Sequence, residues 1–370
     1  MGAGCAGLSL LMRMIQAKKF EDKKILLLDR QPKTSNDRTW CYWETENGFF
    51  DEIVYKKWDM LSFFGGNFSC VMQIAPYQYK MIRGIDFYNY SFKEISNHTN
   101  IEVVVAEIGK CQREKNIATV FLNGQEHSLG NPVIFNSIYK PADNESGSIQ
   151  LLQHFKGWVI ESDKSVFEPH KATMMDFRMP QDYGTTFVYV LPFNERTALV
   201  EYTLFTKELL PAKKYDEAIR SYIETFLDIG NYKIKEEEFG VIPMTNRRFS
   251  FTGEAWNIGT AGGQTKASSG YTFQFIQKQS QQIVDCLLSG KSLDTIPRTP
   301  ARFRFYDNTL LDILYRNTIP GKSIFTRLFK KNKPQQVLRF LDNESSYIEE
   351  LKIISSLPTW PFLKAALRQL

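Results

Sequence analysis

A glutamate sits in the middle of the otherwise apolar run "ALVEYTLF" (198–205). Read with the strand period of two, Leu199, Glu201, Thr203 and Phe205 share one face, and Ala198, Val200, Tyr202 and Leu204 share the other. A carboxylate among such neighbours is costly unless it is paired or protonated. Each pKa unit by which burial raises it corresponds to about 1.36 kcal/mol, and a raised acid keeps its proton near neutrality, as a proton donor must. Glu201 is therefore the candidate for acid–base chemistry. The alternative, open at this level, is a glutamate at a sheet edge with its head in water.

Two glycine loops offer a second kind of chemistry. "MGAGCAGLSL" opens the chain with Gly2, Gly4 and Gly7 in G-x-G-x-x-G spacing. In a dinucleotide site the first glycine makes the turn, the second lets the backbone approach a pyrophosphate, and the third lets helix and strand pack closely. The helix that follows offers unpaired N–H groups to the phosphates. Asp29, 22 residues beyond Gly7, stands where such units place the carboxylate for the ribose hydroxyls. Far downstream, "IGTAGGQTKASSG" (258–270) sets Gly259, Gly262, Gly263 and Gly270 between an apolar strand and an apolar helix. A simple nicotinamide dehydrogenase has no need of this second loop, so the two together favour bound FAD. Taken singly, each has a plainer reading as a glycine turn or a Gly and Ser linker.

These residues need elements to position them. Residues 6–18 read as a helix, with Leu8, Leu11, Met12 and Ile15 at helical spacing, and "ILLLDR" (25–30) reads as a strand buried on both faces. Residues 79–95 are expected to form a helix, 101–136 several short strands, 185–193 and 197–205 alternating strands, and 214–227 a charged helix. A long helix is expected to run from the second loop to residue 288. The expected fold is α/β: a Rossmann-like FAD-binding domain from residues 1–31, 81–142 and 250–296, an inserted mixed-sheet substrate domain from 32–80 and 143–249, and a helical, basic tail at 297–370.

Composition is ordinary for a soluble globular chain except that 14 % of its residues are aromatic, a bias that suits a large apolar cavity, a membrane-facing surface or a Phe-rich core. The tail from Arg298 carries 13 Lys and Arg against 6 Asp and Glu, so it holds the basic character of a chain whose formal charge is +5. No zinc-finger or RNA-recognition pattern accompanies it, which favours an anionic lipid surface over nucleic acid; a solvated helical cap is the plainer alternative. Five scattered cysteines and four histidines without ligand spacing argue against a disulfide framework and a metal site. With no apolar run of about 18 residues and no signal-peptide layout, a cytoplasmic protein that neither spans a membrane nor is exported is expected. Asp176 and Arg178 read either as an ordinary surface pair or as part of a cavity lining.

"GAGCAGLSL", "DRTWCYWE", "MIRGIDFY", "VIFNS", "FVYVLPFN", "ALVEYTLF", "GVIPMT" and "IGTAGGQTKASSGYTF" resemble the bacterial lycopene cyclases, in that family's order from residue 2 to about residue 290. The resemblance implies a flavoprotein that holds reduced FAD, with NAD(P)H as reductant, and closes β-ionone rings on lycopene without net redox change. It implies that Glu201 is the catalytic acid/base. Arg83 becomes a candidate for approaching the flavin, and Trp40, Trp43 and Tyr202 candidates for the polyene's surroundings, although a salt bridge and simple packing explain them as well. The implied location is the inner face of the cell membrane. A flavin-dependent monooxygenase or reductase of an apolar isoprenoid is the alternative activity. One departure is the opening, where the family's apolar strand before the glycine loop has no room. A sheet without that strand is expected to leave backbone groups unpaired and to bind FAD poorly, which favours a start placed too late or a fragmentary sequence.

Overall fold

The computed structural model of the chain describes residues 1–141, 148–249 and 254–369. The domain boundaries expected at 142/143 and at 250, and residue 370 of the expected tail, lie outside these. The helix behind the first glycines runs Cys5–Ala17 and buries Leu8, Leu10, Leu11 and Met12. The strand after it, Ile25–Asp29, pairs in parallel with Ile101–Val105. A second parallel pair joins Phe135–Asn136 to Trp256–Asn257. Residues 1 and 2 lie between the two pairs: Gly2 N donates to Leu28 O at 2.7 Å on one side, and Ser137 N donates to Met1 O at 3.0 Å on the other. The long helix Phe273–Leu288 packs beside the first, and Ala6, Leu8, Leu27, Ile258, Phe273 and Ile276 belong to one core.

The expected helix over 79–95 is corrected in its first part. Gln78–Arg83 is a strand, paired with Thr39–Glu44 on one edge and Lys56–Trp58 on the other, and the helix begins at Gly84. Lying central in a three-stranded sheet, this strand is buried at four consecutive positions, Tyr79 to Ile82. Such a run has no two-residue alternation to distinguish it from a helix. The buried Lys80 ammonium donates to Glu44 Oε1 and Asp51 Oδ1, each at 2.7 Å.

The largest sheet has seven strands in the order Tyr232–Thr245, Gln150–Ser162, Thr197–Thr206, Thr185–Pro192, Lys171–Asp176, Met60–Phe64 and Ser69–Gln73. It separates two cores. Val188, Val190, Val200, Tyr202 and Leu204 face the helix Ala212–Tyr222. Phe187, Tyr189, Leu191, Leu199 and Phe205 face the other way, into a core shared with Leu311, Phe325, Phe329 and Leu338. The basic tail is therefore a bundle of five helices, Ala301–Tyr315, Gly321–Lys331, Pro334–Leu341, Tyr347–Ser356 and Thr359–Leu367, whose apolar sides close one face of this sheet. None of the described helices is long and apolar enough to cross a membrane.

Candidate functional site

The first glycine turn is built by backbone necessity. Gly2 has φ +88°, and a Cβ at Gly7 would lie 2.0 Å from Gly2 O. The middle glycine differs: a Cβ at Gly4 would meet nothing within 4 Å, so the backbone there borders open space at the start of the Cys5–Ala17 helix. That helix has no side-chain cap and no acidic residue in its first turn, which leaves its N–H groups and its positive end for an anion. Asp29, at the end of its strand, accepts from Ala3 N at 2.7 Å and ion-pairs with Lys33 at 3.3 Å.

The second loop closes on the first. Gly259 has φ +60°, and a Cβ there would lie 2.6 Å from Ala6 Cβ. Its N–H donates to Gln279 Oε1 at 2.9 Å, which ties the turn to the long helix. Gly2, Gly4, Asp29, Thr260 and Gly270 line one cavity of about 700 Å³. Gly262 and Gly263 border a neighbouring cavity of about 730 Å³.

Glu201 opens onto the same 700 Å³ cavity as the glycine loops. The register puts it between Gly157 and Tyr189, on the sheet face of Leu199 and Phe205. The alternation read from "ALVEYTLF" is the observed one: Tyr202 lies on the opposite face, 6.4 Å from the Tyr215 ring. Thr203 Oγ1 donates to Glu201 Oε1 at 2.9 Å. Burial, and next the carboxyl of Glu238, push Glu201 well above its ordinary value of 4.5. Trp40, Cys41, Tyr79, Tyr189 and Tyr271 complete the wall around it. The same cavity is bordered by Gln153, whose buried Oε1 has no donor among the described residues and is left to a ligand.

Other expected site residues lie elsewhere. Trp43 is buried behind the wall, edge-on to Tyr271 at 4.9 Å. Arg83 ion-pairs with Asp86 at 2.6 Å and lies 3.9 Å above the Tyr55 ring, outside the cavity lining. Asp176 is paired with Arg178, yet the carboxylate is fully buried and also accepts from Tyr222 Oη at 2.7 Å. His154 is buried within hydrogen-bond distance of Thr206 and Tyr215, and no group of three or more His, Cys, Asp or Glu among the described residues has the arrangement to hold a metal.

Glu238, within "KEEEFG", was not singled out by the sequence. It is 9 % exposed, accepts from Thr39 Oγ1 at 2.7 Å, and approaches Glu201 from the other side of Gly157. Its neighbours Glu236 and Glu237 are exposed, so composition alone marks a solvated run; the period of two, carried on from buried Gly240, is the signal that separates it.

Comparison with solved structures places the fold among flavoproteins. A flavoprotein/dehydrogenase from Cytophaga hutchinsonii superposes with a TM-score of 0.63 at 12 % identity, over 100 % of this chain and 98 % of that one. The p-nitrophenol 4-monooxygenase PnpA of Pseudomonas putida DLL-E4 gives 0.61 at 11 %, over 100 % and 95 %. A geranylgeranyl bacteriochlorophyll reductase-like protein of Thermoplasma acidophilum gives 0.58 at 11 %, over 100 % and 96 %. Among curated proteins no significant match to the chain is found. The expected fold class, α/β with a large mixed sheet and a helical C-terminal region, is thus the observed one, and it is the fold of these flavoproteins. The sequence profile described as "Lycopene cyclase protein" matches residues 1–367, and the chain belongs to that family.

Proposed function

We propose that the protein converts the linear ψ ends of lycopene into β-ionone rings, giving γ- and β-carotene, with FAD bound in reduced form and no net redox change. One observation carries the reading: Glu201, a carboxyl that burial pushes well above its ordinary value, and the two glycine loops open onto the same cavity. The loops fit FAD, since Gly4 leaves the backbone bare beside an uncapped helix N-terminus, Asp29 stands at the ribose end, and Gln153 Oε1 lacks a donor. When bound, reduced FAD supplies an electron-rich ring to the cavity; NAD(P)H is its proposed reductant.

The chain's own residues do the proton work. Glu201 delivers its proton to C2 of the ψ end, leaving a cation at C1. The C5–C6 double bond closes on C1, the charge moves to C5, and removal of the C6 proton restores neutrality. The Glu201 carboxylate is the base that takes this last proton, so the site ends as it began. The faces of Trp40, Tyr79 and Tyr189 around the cavity favour the cation by about 0.5 to 2 kcal/mol each.

The tail is the proposed bilayer contact. Its last two helices expose Tyr347, Ile348, Leu351, Trp360, Leu363 and Leu367, with Trp360 80 % exposed. Lys352, Lys364 and Arg368 lie on the same two helices or at their end. Rings and aliphatic side chains beside cations suit an anionic bilayer, from which a water-insoluble polyene is drawn on the inner face of the cell membrane.

The test is expression in cells that accumulate lycopene, with extracted pigments separated by chromatography with mass detection. β- or γ-carotene is expected, isobaric with lycopene and differently retained. Oxidised or hydrogenated pigments would instead support a flavin-dependent monooxygenase or reductase, a reading favoured by the oxidoreductases of the same fold.

A further inference from the structure

Glu201 and Glu238 stand opposite one and the same residue. Gly157, in the strand Gln150–Ser162, pairs with Glu201 across one edge and with Glu238 across the other. Neighbouring strands lie about 4.8 Å apart, so two residues flanking a common partner have backbones nearly 10 Å apart and side chains on the same face. Two glutamates reach across such a gap only when nothing stands between them. A Cβ at Gly157 would lie 2.8 Å from Leu199 Cδ1, 3.1 Å from Glu238 Cγ and 3.2 Å from Glu238 Oε1, so the Glu238 side chain, with that of Leu199, leans over the glycine towards Glu201. The two carboxyls are within hydrogen-bonding reach of each other.

Their remaining partners are neutral. Thr39 donates to Glu238 Oε2 and Thr203 to Glu201 Oε1. Glu238 Oε1 is buried with no donor among the described residues. Around the pair stand Cys41 and Tyr79 from the paired strands Thr39–Glu44 and Gln78–Arg83, Tyr189 from the strand beside that of Glu201, and Tyr271 just after the second glycine loop, all un-ionised near neutrality because burial raises them. Glu236 and Arg38 act on Glu238 at longer range and with opposite sign. Neither glutamate forms an ion pair among the described residues, and two ionised carboxylates at this separation repel strongly. A single proton placed between them supplies the missing donor for Glu238 Oε1 and removes the repulsion.

We propose that Glu201 and Glu238 share one proton across Gly157, and that Glu238 is the positioning residue that keeps the cavity-facing carboxyl protonated and aimed. The assignment rests on the cyclase reading for its catalytic consequence and not for its structure. Proton count balances over a turnover. The pair begins with one proton and one negative charge, becomes doubly ionised when Glu201 protonates C2, and recovers its proton from C6. The second negative charge therefore exists only while the substrate carries its positive one, which is the moment electrostatic stabilisation counts. The same repulsion makes the pair a strong base for the last step.

The test compares wild type, Glu238→Gln and Gly157→Ala as full-length protein. Infrared spectroscopy with H/D exchange is expected to show the Glu201 protonated-carboxyl band in wild type at neutral pH and to show it shifted in frequency in Glu238→Gln, because burial still holds the Glu201 proton but the carboxylate that shares it is gone. The alkaline limb of the pH–rate profile is expected to move about one pH unit or more to acid in Glu238→Gln. In Gly157→Ala, where both acids remain but a methyl crowds Leu199 and Glu238, it moves the same way by less. A band that keeps its frequency in Glu238→Gln, with an unmoved profile, overturns proton sharing while ring formation by wild type still stands. A band shifted in Glu238→Gln, in a protein that makes no ring, upholds the shared proton and overturns the cyclase reading.

Discussion

Gly259 and Ala6 hold the two glycine loops together: with φ at +60°, a methyl group on residue 259 would sit 2.6 Å from Ala6 Cβ. The contact joins a turn late in the chain to the helix at its start. Gly259→Ala combines left-handed strain with overpacking and is expected to cost about 2 to 4 kcal/mol. The check is a thermal melt together with the flavin-to-protein absorbance ratio of the purified protein, both of which fall.

Glu201→Gln keeps shape and removes the acid. Ring formation in lycopene-accumulating cells is expected to disappear, while the protein stays folded. Its stability also changes in pH dependence. Glu201 is raised in the folded state, so that state binds the proton more tightly, and stability is lost as pH rises above the ordinary value of 4.5. Glu201→Gln is therefore expected to lessen the decline in stability between about pH 4.5 and neutrality, where a full proton's difference corresponds to about 1.36 kcal/mol per pH unit. Denaturant titrations across that range decide it; curves as steep as wild type would show that Glu201 titrates normally.

Lys80 is 1 % exposed and serves two carboxylates, Glu44 and Asp51. Lys80→Met leaves Glu44 without a cation and Asp51 with Lys57 alone, and the expected loss is about 1 to 3 kcal/mol. Equilibrium unfolding in urea measures it. Adding Glu44→Gln to Lys80→Met is expected to recover part of the loss.

The exposed row on the last two helices predicts vesicle binding. Co-sedimentation with vesicles rich in anionic lipid is expected for wild type and expected to weaken at high salt. Ile348→Glu with Leu351→Glu is expected to abolish it without lowering the melting temperature, since both side chains are already 67 % exposed. Equal sedimentation of variant and wild type would place the contact elsewhere.

How much of this was legible in the sequence depends on what each residue's neighbours were. The strand around Glu201 could be read because a polar residue interrupted a two-residue alternation whose faces meet different cores. The Cys5–Ala17 helix and the Ile25–Asp29 strand followed from local period and glycine spacing. Gln78–Arg83 could not be read in this way, because cores on both its faces, one taking Tyr79 and Met81 and the other Ile82, bury it and erase the alternation. Glu238 was hidden differently. It belongs to a strand at the sheet's edge among exposed acids, and only the pairing of distant strands at Gly157 sets it beside Glu201. The tail's charge was visible, but its helices' apolar sides gain meaning only from the sheet they cover.

Gly157 reacts with nothing and binds nothing, yet it fixes the distance between two acids that come from strands on either side of it. Selection at such a position acts on proton affinity through an absent side chain. The acidity of the chamber is adjustable there with both glutamates left in place, and a tolerated methyl at 157 would be a change of chemistry in the guise of a change of packing.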